Sequence, residues 1–380
     1  MRLGDICSKI GSGATPRGGK EAYSASGIPI IRSQNVLDWS FSSNGLAYLN
    51  DEQARTLSNV EVHQGDILLN ITGDSVARAC IVPSDVIPAR VNQHVAILRP
   101  KEKANATFIL AWLQTNKDLL LKLASSGATR NALTKRMLEG LDINLPSIDI
   151  QNHIAALISL IQSKINLNMQ LNGYLLELAT TRFEQALFKS NRVVRLGDIV
   201  KLEDSKRVPL NSRDRDARKG PYPYYGATSI MDYVDDYLFD GIRVLLGEDG
   251  SVIDESGRPI LQYVWGKYWV NNHAHILAAA SDYSLEAIYI ALQRTPISHI
   301  VTGAVQRKIS QRNLNKLKLE MPDAKSLEYL QDIFAAYRCN CEENRGLVSL
   351  RDALLPKLMS GEIDVSKIDV AQLNSHLAEY

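Results

Sequence analysis

The sequence predicts a mixed α/β (α+β) chain made of two copies of one unit, each a globular domain followed by a long helix. Short motifs recur in the same order in both halves, and each half ends in a heptad pattern. A chain of 380 residues is also long enough for more than one core. We predict a domain at 1–147, a helix at 148–190, a domain at 191–322, a helix at 323–363 and a tail at 364–380.

The first long helix is predicted over Asp149–Lys189. Its apolar residues, from Ile154 to Ala179, are spaced alternately by four and three, which is the spacing of a coiled-coil seam. A helix of this length with polar outer faces needs a partner to be stable. The same spacing returns from Leu330 to Leu358, so the partner is predicted within the same chain.

Each heptad series contains one asparagine near its middle, Asn168 in the first and Asn344 in the second. An asparagine in an apolar seam fixes the register of a coiled coil at some cost in stability. Exposure to solvent is the alternative for either residue alone. Their equivalent positions favour pairing, and in an antiparallel helix pair they are predicted to meet near its midpoint.

Shorter motifs support an internal pseudo-two-fold repeat rather than a solenoid, whose units are tens of residues long. Three of them recur in the same order: Arg2-Leu3-Gly4-Asp5-Ile6 as Arg195-Leu196-Gly197-Asp198-Ile199, Val91-Asn92-Gln93-His94 as Val270-Asn271-Asn272-His273, and Gly127-Ala128 followed by Leu145-Pro146 as Gly303-Ala304 followed by Met321-Pro322.

Within each domain we predict short strands, several loops and one helix. In the first domain these are a loop at Gly11–Gly19, strands at Ile28–Ile31 and Asp66–Thr72, and a helix at Thr107–Ala124. In the second domain they are a charged loop at Lys201–Lys219, strands at Tyr222–Tyr225, Val244–Leu246 and Gln262–Trp265, and a helix at Leu285–Leu292.

Composition limits the function classes. The chain has 43 Lys and Arg against 42 Asp and Glu, a net charge of +1, whereas a stand-alone DNA-binding protein is usually clearly basic. This objection weakens if other subunits hold the DNA backbone. The sequence shows no apolar run of membrane length and no signal peptide. Its four cysteines are sparse, so we expect a cytoplasmic protein without a metal site.

No catalytic motif is complete. The loop Gly11–Lys20 resembles a phosphate-binding loop, but its glycine spacing is wrong and Glu21 replaces the required Ser or Thr. Asp204 and Glu248 each lack the second acidic strand residue of a metal-dependent nuclease. The tetrapeptide of amino-methyltransferases and the dinucleotide-binding glycine motif are both missing. We therefore expect no catalytic residues.

His94 and His273 occupy equivalent positions in different domains, so they do not form one metal cluster. A structural, hydrogen-bonded histidine is the interpretation we prefer to a catalytic one. A third possibility is DNA contact by the amides beside them, because Asn and Gln can pair with adenine. These amides are Asn92, Gln93, Asn271 and Asn272.

Together, these features resemble the specificity subunit of type I restriction–modification systems. The matching segments are the two Arg-Leu-Gly-Asp-Ile openings, Ile28–Asn35, the two long helices and the closing Leu354–Ile363. The resemblance extends over nearly the whole chain, and the order and duplication of the motifs carry it. The second domain departs from it, since Tyr224–Ser229 replaces the polar cluster Arg32–Asn35.

The resemblance implies that each globular domain is a target recognition domain that reads one half of a split, asymmetric sequence in double-stranded DNA. The helices would form an antiparallel coiled coil that docks two methyltransferase subunits, and restriction–translocase subunits can join such complexes. Adenine methylation would be carried out by the partner with S-adenosylmethionine, so the chain itself would be non-catalytic and free of cofactor.

The residues that we predict to contact DNA are basic, amide or aromatic: Arg for guanine or phosphate, Asn and Gln for adenine, Tyr for stacking. They are Arg17, Arg32, Gln34, Asn35, Asn92 and Arg130 in the first half and Lys206, Arg207, Tyr225, Ser229, Asn272 and Lys308 in the second. The alternatives are a self-sufficient DNA methyltransferase or nuclease, and a coiled-coil scaffold without a DNA role.

Overall fold

The structure, a computed structural model, describes residues 1–16, 18, 22–125, 131–303 and 306–367. The described residues fall into two compact units. Unit 1 comprises Met1–Leu167 and Glu343–Tyr380, and unit 2 comprises Asn168–Glu342. Both long helices continue from one unit into the other, so each unit contains a globular domain and a part of each helix.

Unit 1 begins with short helices and two four-stranded sheets. Its elements are α1 Leu3–Ile6, β1 Cys7–Ser12, β2 Ile28–Ile31, β3 Ala47–Leu49, α2 Asp51–Thr56, β4 Glu61–Val62, β5 Ile67–Asn70, β6 Ala79–Ile81, β7 Ala89–Val91, β8 Val95–Pro100, α3 Ala106–Thr115, α4 Lys117–Ser125, α5 Lys135–Glu139 and the long helix α6, Ile148–Lys189. One sheet has the order β1-β8-β5-β6 and the other β3-β2-β7-β4.

The strand β5 shows how this sequence builds its core. Successive side chains of a strand point to opposite faces of the sheet. Ile67 and Leu69 accordingly pack in the cluster that also contains α3, while Leu68 packs in the cluster under the second sheet. All three residues are fully buried. A strand buried on both faces needs a continuous apolar run, which is what the sequence has here.

Unit 2 contains a similar series of strands and helices. They are β9 Arg192–Arg195, α7 Leu196–Ile199, β10 Val200–Leu202, α8 Ser212–Ala217, β11 Lys219–Tyr225, β12 Ile230–Val234, β13 Phe239–Asp240, β14 Arg243–Gly247, β15 Leu261–Val264, β16 Lys267–Val270, β17 Ala274–Ala279, α9 Leu285–Arg294, β18 Val301–Thr302, β19 Lys308–Ile309, α10 Gln311–Asn315, β20 Lys318–Met321 and the long helix α11, Tyr329–Ser360.

The internal repeat is confirmed by the topology of the sheets. The orders β10-β17-β14-β15 and β12-β11-β16-β13 reproduce those of unit 1 strand for strand. A parallel pairing also recurs, between β2 and β7 in unit 1 and between β11 and β16 in unit 2. Each domain is closed by an equivalent bond: Leu3 N donates to Leu141 O and Leu196 N to Leu317 O, both at 2.8 Å.

In unit 1 the two long helices run antiparallel. Ile158 of α6 packs in one cluster with Leu355 of α11. Further along α6, Lys164 Nζ lies 3.4 Å from a Glu343 carboxylate oxygen. The residue number therefore rises along one helix as it falls along the other.

Unit 2 has the same antiparallel pairing. Asn172 contacts Tyr337 and Cys341, whereas Phe183, further along α6, packs with Phe334 near the start of α11. Two predicted elements differ from the structure. The predicted helix at Thr107–Ala124 is interrupted at Asn116 between α3 and α4, and the predicted loop at Lys201–Lys219 contains β10 and α8.

Candidate nucleic-acid interface

An open groove of about 1030 Å³ lies on unit 1, beside the loops that follow β2 and β5. Most of the residues that line it have polar side chains, and one of them, Arg78, is basic. The lining residues are Ser33, Gln34, Thr72, Gly73, Asp74, Ser75, Arg78, His94, Asn131 and Ala132. Hydroxyl, amide, guanidinium and imidazole groups are the side chains that contact base edges and phosphates in protein–DNA complexes.

Three chain segments meet at this groove through backbone hydrogen bonds. Ile71 N donates to His94 O at 2.9 Å, and Leu133 N donates to Ile71 O at 2.8 Å. A third bond, from Gly73 N to Asn131 O at 3.3 Å, extends the contact. The ends of β5, the β7–β8 turn and the segment after residue 130 are thereby fixed to one another.

Unit 2 contains the same junction. Glu248 N donates to His273 O and Ile309 N donates to Glu248 O, both at 2.8 Å, and Gly250 N donates to Arg307 O at 3.0 Å. These bonds make His273 the counterpart of His94 and Glu248 the counterpart of Ile71.

The two histidines have equivalent side-chain bonds as well. His94 Nδ1 lies 2.6 Å from Thr72 Oγ1, and His273 Nδ1 lies 2.7 Å from Asp249 Oδ1. The sequence favours a structural role for both histidines, but it does not identify these hydrogen-bond partners. The duplicated histidine position was the signal that could have identified them.

The junctions differ in charge. Ile71 of unit 1 corresponds to Glu248 of unit 2, which makes the equivalent backbone bonds. Ala96 corresponds to His275, each two residues after its junction histidine. A backbone β-bridge joins Asp249 to Lys308 in unit 2, at the position where a β-bridge joins Thr72 to Ala132 in unit 1. One scaffold thus carries an uncharged junction in unit 1 and a charged one in unit 2.

A buried ion network fills the unit 2 junction. Arg207 Nη1 donates to Glu248 Oε2 at 2.6 Å, and His275 Nδ1 lies 2.6 Å from Asp204 Oδ2. The other ring nitrogen, His275 Nε2, lies 2.9 Å from Ile309 O. Both ring nitrogens of His275 therefore lie within hydrogen-bond distance of oxygen atoms.

The network sets the pKa of its carboxyl groups. Burial raises the pKa of Asp204, but the hydrogen bond from His275, the Ile276 N–H and the charge of Arg207 hold it below its ordinary value. Burial also raises the pKa of Glu248, and there the Arg207 hydrogen bond and nearby positive charge lower it. Both carboxylates therefore stay ionised inside the protein.

These side chains do not suit a metal ion. Ligand atoms of Asp204, Glu248 and His275 lie within 4.8 Å of one another, so the fold gives each acidic residue the acidic neighbour that its local sequence lacks. However, the Arg207 guanidinium lies against both carboxylates, and the two His275 nitrogens are bonded to oxygen acceptors. A cation would have to displace an arginine that already neutralises the site.

The predicted DNA contacts of the first half divide into three groups. Arg17 and Arg130 lie outside the described residues. Arg32 and Gln34 are at the surface, and both donate to Gly45 O, with the Arg32 guanidinium also 5.6 Å from the Tyr23 ring centroid.

The third group, Asn35 and Asn92, is not at the surface. Asn35 is fully buried, with its amide nitrogen donating to Ser42 O and Asn44 O. Asn92 is 6% exposed, and its side-chain oxygen accepts from His94 N at 3.0 Å. Both asparagines hold turns, because Asn side chains readily bond to nearby backbone groups. This corrects their assignment as base-reading residues.

In the second half, Arg207 and Tyr225 are corrected in the same way. Arg207 is committed to the buried network, and Tyr225 is 7% exposed and packs edge-on against Tyr268. The remaining four predicted contacts have exposed side chains. They are Lys206, Ser229, Asn272 and Lys308.

The predicted register asparagines fall in different units. Asn344 donates to Ile165 O at 3.2 Å within unit 1, and Asn168 is 3% exposed in unit 2. Their mutual pairing stays a prediction. In unit 2, sequence reasoning missed Asn172, whose side-chain oxygen accepts from Asn340 Nδ2 at 2.8 Å. This amide pair joins the contacts of Asn172 with Tyr337 and Cys341 as a polar link between the helices.

No helix among the described residues is both long and apolar enough to cross a membrane.

Comparison with known proteins identifies the family. The family described as type I restriction modification DNA specificity domain matches residues 1–176 and 189–337. The type I restriction enzyme MjaIX specificity subunit of Methanocaldococcus jannaschii is 22% identical over 97% of this chain and 94% of that protein. A protein of Haemophilus influenzae, provisionally named as a type I restriction enzyme specificity subunit, is 30% identical over 127 residues, 33% of this chain and 32% of that protein.

A solved structure has the same fold. The type-I restriction-modification system S subunit from M. genitalium aligns over 94% of this chain and 95% of that chain, with a TM-score of 0.53 and 15% identity. Because the family match includes both repeats and most of the chain, this protein belongs to the type I restriction–modification specificity subunit family, whose role is DNA sequence specificity.

Proposed function

We propose that the two globular domains each read one half of a bipartite, asymmetric DNA target. The observation that carries this proposal is the pair of equivalent junctions, which share their backbone bonds but differ in side chains. Equivalent scaffolds would approach DNA in the same manner, whereas an uncharged junction around Ile71 and a charged one around Glu248 would favour different bases.

The contact residues in this proposal are those at the surface. In unit 1 they are Arg32, Gln34, Arg78 and His94, and in unit 2 they are Lys206, Ser229, Asn272, His273 and Lys308. A net charge of +1 provides little attraction for DNA phosphates, so most of the electrostatic affinity would come from partner subunits.

We also propose that the chain is the non-catalytic member of an adenine methyltransferase complex with two methyltransferase subunits and, in the full system, restriction–translocase subunits. S-adenosylmethionine would bind the methyltransferase subunits, and the target adenine would be flipped out of the duplex into their active sites. This chain would then choose the site and orient its partners.

The long helix α6 offers a surface for such a partner. In unit 2, Leu171, Tyr174 and Leu178 follow the helical spacing of three and four residues and are 47%, 68% and 40% exposed. Neighbours at this spacing share one helix face. An exposed apolar stripe of this kind on a family of complex-forming subunits suits a protein interface.

The proposal is tested by reconstituting the chain with its methyltransferase subunit and sequencing the methylated adenines of a host genome. We expect one bipartite motif with two different half-sites, which disappears when this chain is omitted. Native mass spectrometry should give two methyltransferase subunits per chain. Modification or cleavage of DNA by the purified chain alone would instead favour the enzyme alternative, and methylation without a motif would favour the scaffold.

The exposed apolar stripe of α6 formed by Leu171, Tyr174 and Leu178, here called the docking face, gives a more specific prediction. Tyr174→Glu should weaken binding of the methyltransferase subunit by about tenfold or more, since an aromatic side chain at an interface centre is worth upwards of about 1 kcal/mol. Met169→Glu introduces the same charge at an exposed position five residues away, which lies on a different face of the helix, and should change binding less than about twofold. Affinity is measured by titration of the labelled chain, and equal losses in both variants would contradict this docking face.

A further inference from the structure

The junction histidines carry chemistry that their role in the fold does not use. The backbone carbonyls of His94 and His273 already hold the junctions together, so the imidazoles are not needed for that contact. His94 lines the groove of unit 1, and the His273 side chain is 45% exposed. Both rings are thus accessible at equivalent positions of the two domains.

The hydrogen-bond partners of His94 define its tautomer. Gln93 Nε2 lies 3.2 Å from His94 Nε2, and an amide nitrogen can only donate, so His94 Nε2 accepts. The proton of the neutral ring is then on Nδ1, which donates to Thr72 Oγ1 at 2.6 Å. Gln93 is exposed, and its rotation would free the Nε2 lone pair for a ligand.

His273 reaches the same tautomer by a different route. Its Nδ1 lies 2.7 Å from Asp249 Oδ1, and a carboxylate oxygen accepts, so the proton is on Nδ1. Among the described residues, His273 Nε2 has no hydrogen-bond partner. A carboxylate that fixes the orientation and tautomer of a histidine leaves the opposite nitrogen as a directed acceptor.

We propose that the Nε2 atoms of His94 and His273 each accept a hydrogen bond from the exocyclic amino group of one base, adenine N6 or cytosine N4, in the major groove. Each histidine would specify one position in its own half-site, with Thr72 and Asp249 as positioning residues. In the major groove these amino groups are the only base donors, so a fixed acceptor recognises them specifically. This inference rests on the proposed function and names the chemistry of its contacts.

The first test compares methylated motifs in the reconstituted system. His94→Asn and His273→Asn keep a donor near the Nδ1 position and remove the Nε2 acceptor. We expect each variant to lose base preference at a single position of one half-site, in opposite halves of the motif. The unchanged half-site reports in the same experiment that the chain folds and assembles. A purely structural role would lower the extent of methylation and leave the motif intact.

The second test removes the partner group from the DNA. At the position lost in each variant, purine replaces adenine, or 2-pyrimidinone replaces cytosine, so that only the amino group is missing. We expect binding of the original complex to fall about five- to tenfold, as for the loss of one hydrogen bond, while the Asn variant binds both DNAs equally. His→Gln, which can place an oxygen near the former Nε2, should restore part of the discrimination.

The outcomes separate this inference from the proposed function. An original complex without any bipartite motif would refute the proposed function. A bipartite motif that both Asn variants retain, or amino-group discrimination that persists in the Asn variants, would overturn the inference about the histidines alone.

Discussion

Asp249 decides which nitrogen of His273 carries the proton, since a carboxylate cannot donate. Asp249→Asn introduces an amide that can either donate to Nδ1 or accept from it, so the proton is no longer fixed on Nδ1 and Nε2 can become a donor. We expect this variant to lose preference at the same motif position as His273→Asn, with the other half-site unchanged.

The measurement is the methylated motif of the variant complex. Asp282→Asn, the same change at another exposed residue of unit 2, serves as the control and should leave the motif intact. A full motif in Asp249→Asn would contradict the role of Asp249 in positioning His273.

The buried network predicts acid sensitivity. The pKa of Asp204 is lowered in the folded protein, so its contribution to stability is present above the unfolded pKa, about 4, and is lost as pH falls through the lower folded value. Asp204→Asn removes the buried carboxylate that lies against His275 Nδ1 and accepts from Ile276 N, and we expect it to cost about 3–5 kcal/mol at neutral pH.

Thermal unfolding between pH 7 and pH 3 measures this effect. The difference between the original protein and Asp204→Asn should shrink as pH falls below about 4. Two curves that stay parallel over this range would show that Asp204 is not the titrating group.

The network also shows what sequence alone could not give. Asp204 and His275 are 71 residues apart, and Thr72 and His94 are 22 apart. Such contacts depend on how strands are ordered in the sheets, and local spacing carries no information about that order. The duplicated motifs indicated where the two junctions are, but their partners required the fold.

At the scale of elements, α6 is stabilised by what it buries rather than by its own propensity. Ile158 is fully buried in the cluster that contains Leu355, so Ile158→Ala should destabilise unit 1 by about 2–5 kcal/mol. Leu167→Ala removes a similar side chain that is 60% exposed on the same helix and should cost less than about 1 kcal/mol.

Urea unfolding of the two variants is the appropriate measurement, because the midpoint reports the change if the slope stays constant. Equal midpoints for Ile158→Ala and Leu167→Ala would contradict the packing of α6 in unit 1.

Secondary-structure elements were predicted correctly where the spacing of the apolar residues and the length of the segment indicated the same type of element. A continuous apolar run predicts the strand β5, and a heptad pattern predicts the helix α6. The short helix α8 was missed because none of its residues is buried, so its sequence carries no apolar period. It depends instead on its cap, in which the Asn211 side chain accepts from Asp214 N at 2.9 Å.

At the scale of the whole molecule, the two copies of the duplicated unit show which structural features are shared and which differ. The two units share sheet order, strand direction and the closing bonds from Leu3 and Leu196, while Ile71 and Glu248 differ at equivalent positions of the two junctions. A duplicated domain can change its recognised bases without altering how the chain folds, because the side chains at the junction are not those that close the domain.

This separation predicts the behaviour of a chimera in which a second copy of residues 1–147 replaces residues 191–322. The copy should fold, because Leu3 N–Leu141 O and Leu196 N–Leu317 O are equivalent closures at 2.8 Å and both domains lead into a long helix. Since both recognition surfaces would then be identical, the reconstituted complex should methylate a target whose two half-sites are the same. The methylated motif of the chimera is compared with that of the original chain. One half-site of the original motif should occur twice in the motif of the chimera. A folded, complex-forming chimera that still recognises two different half-sites would show that the domains do not read DNA independently.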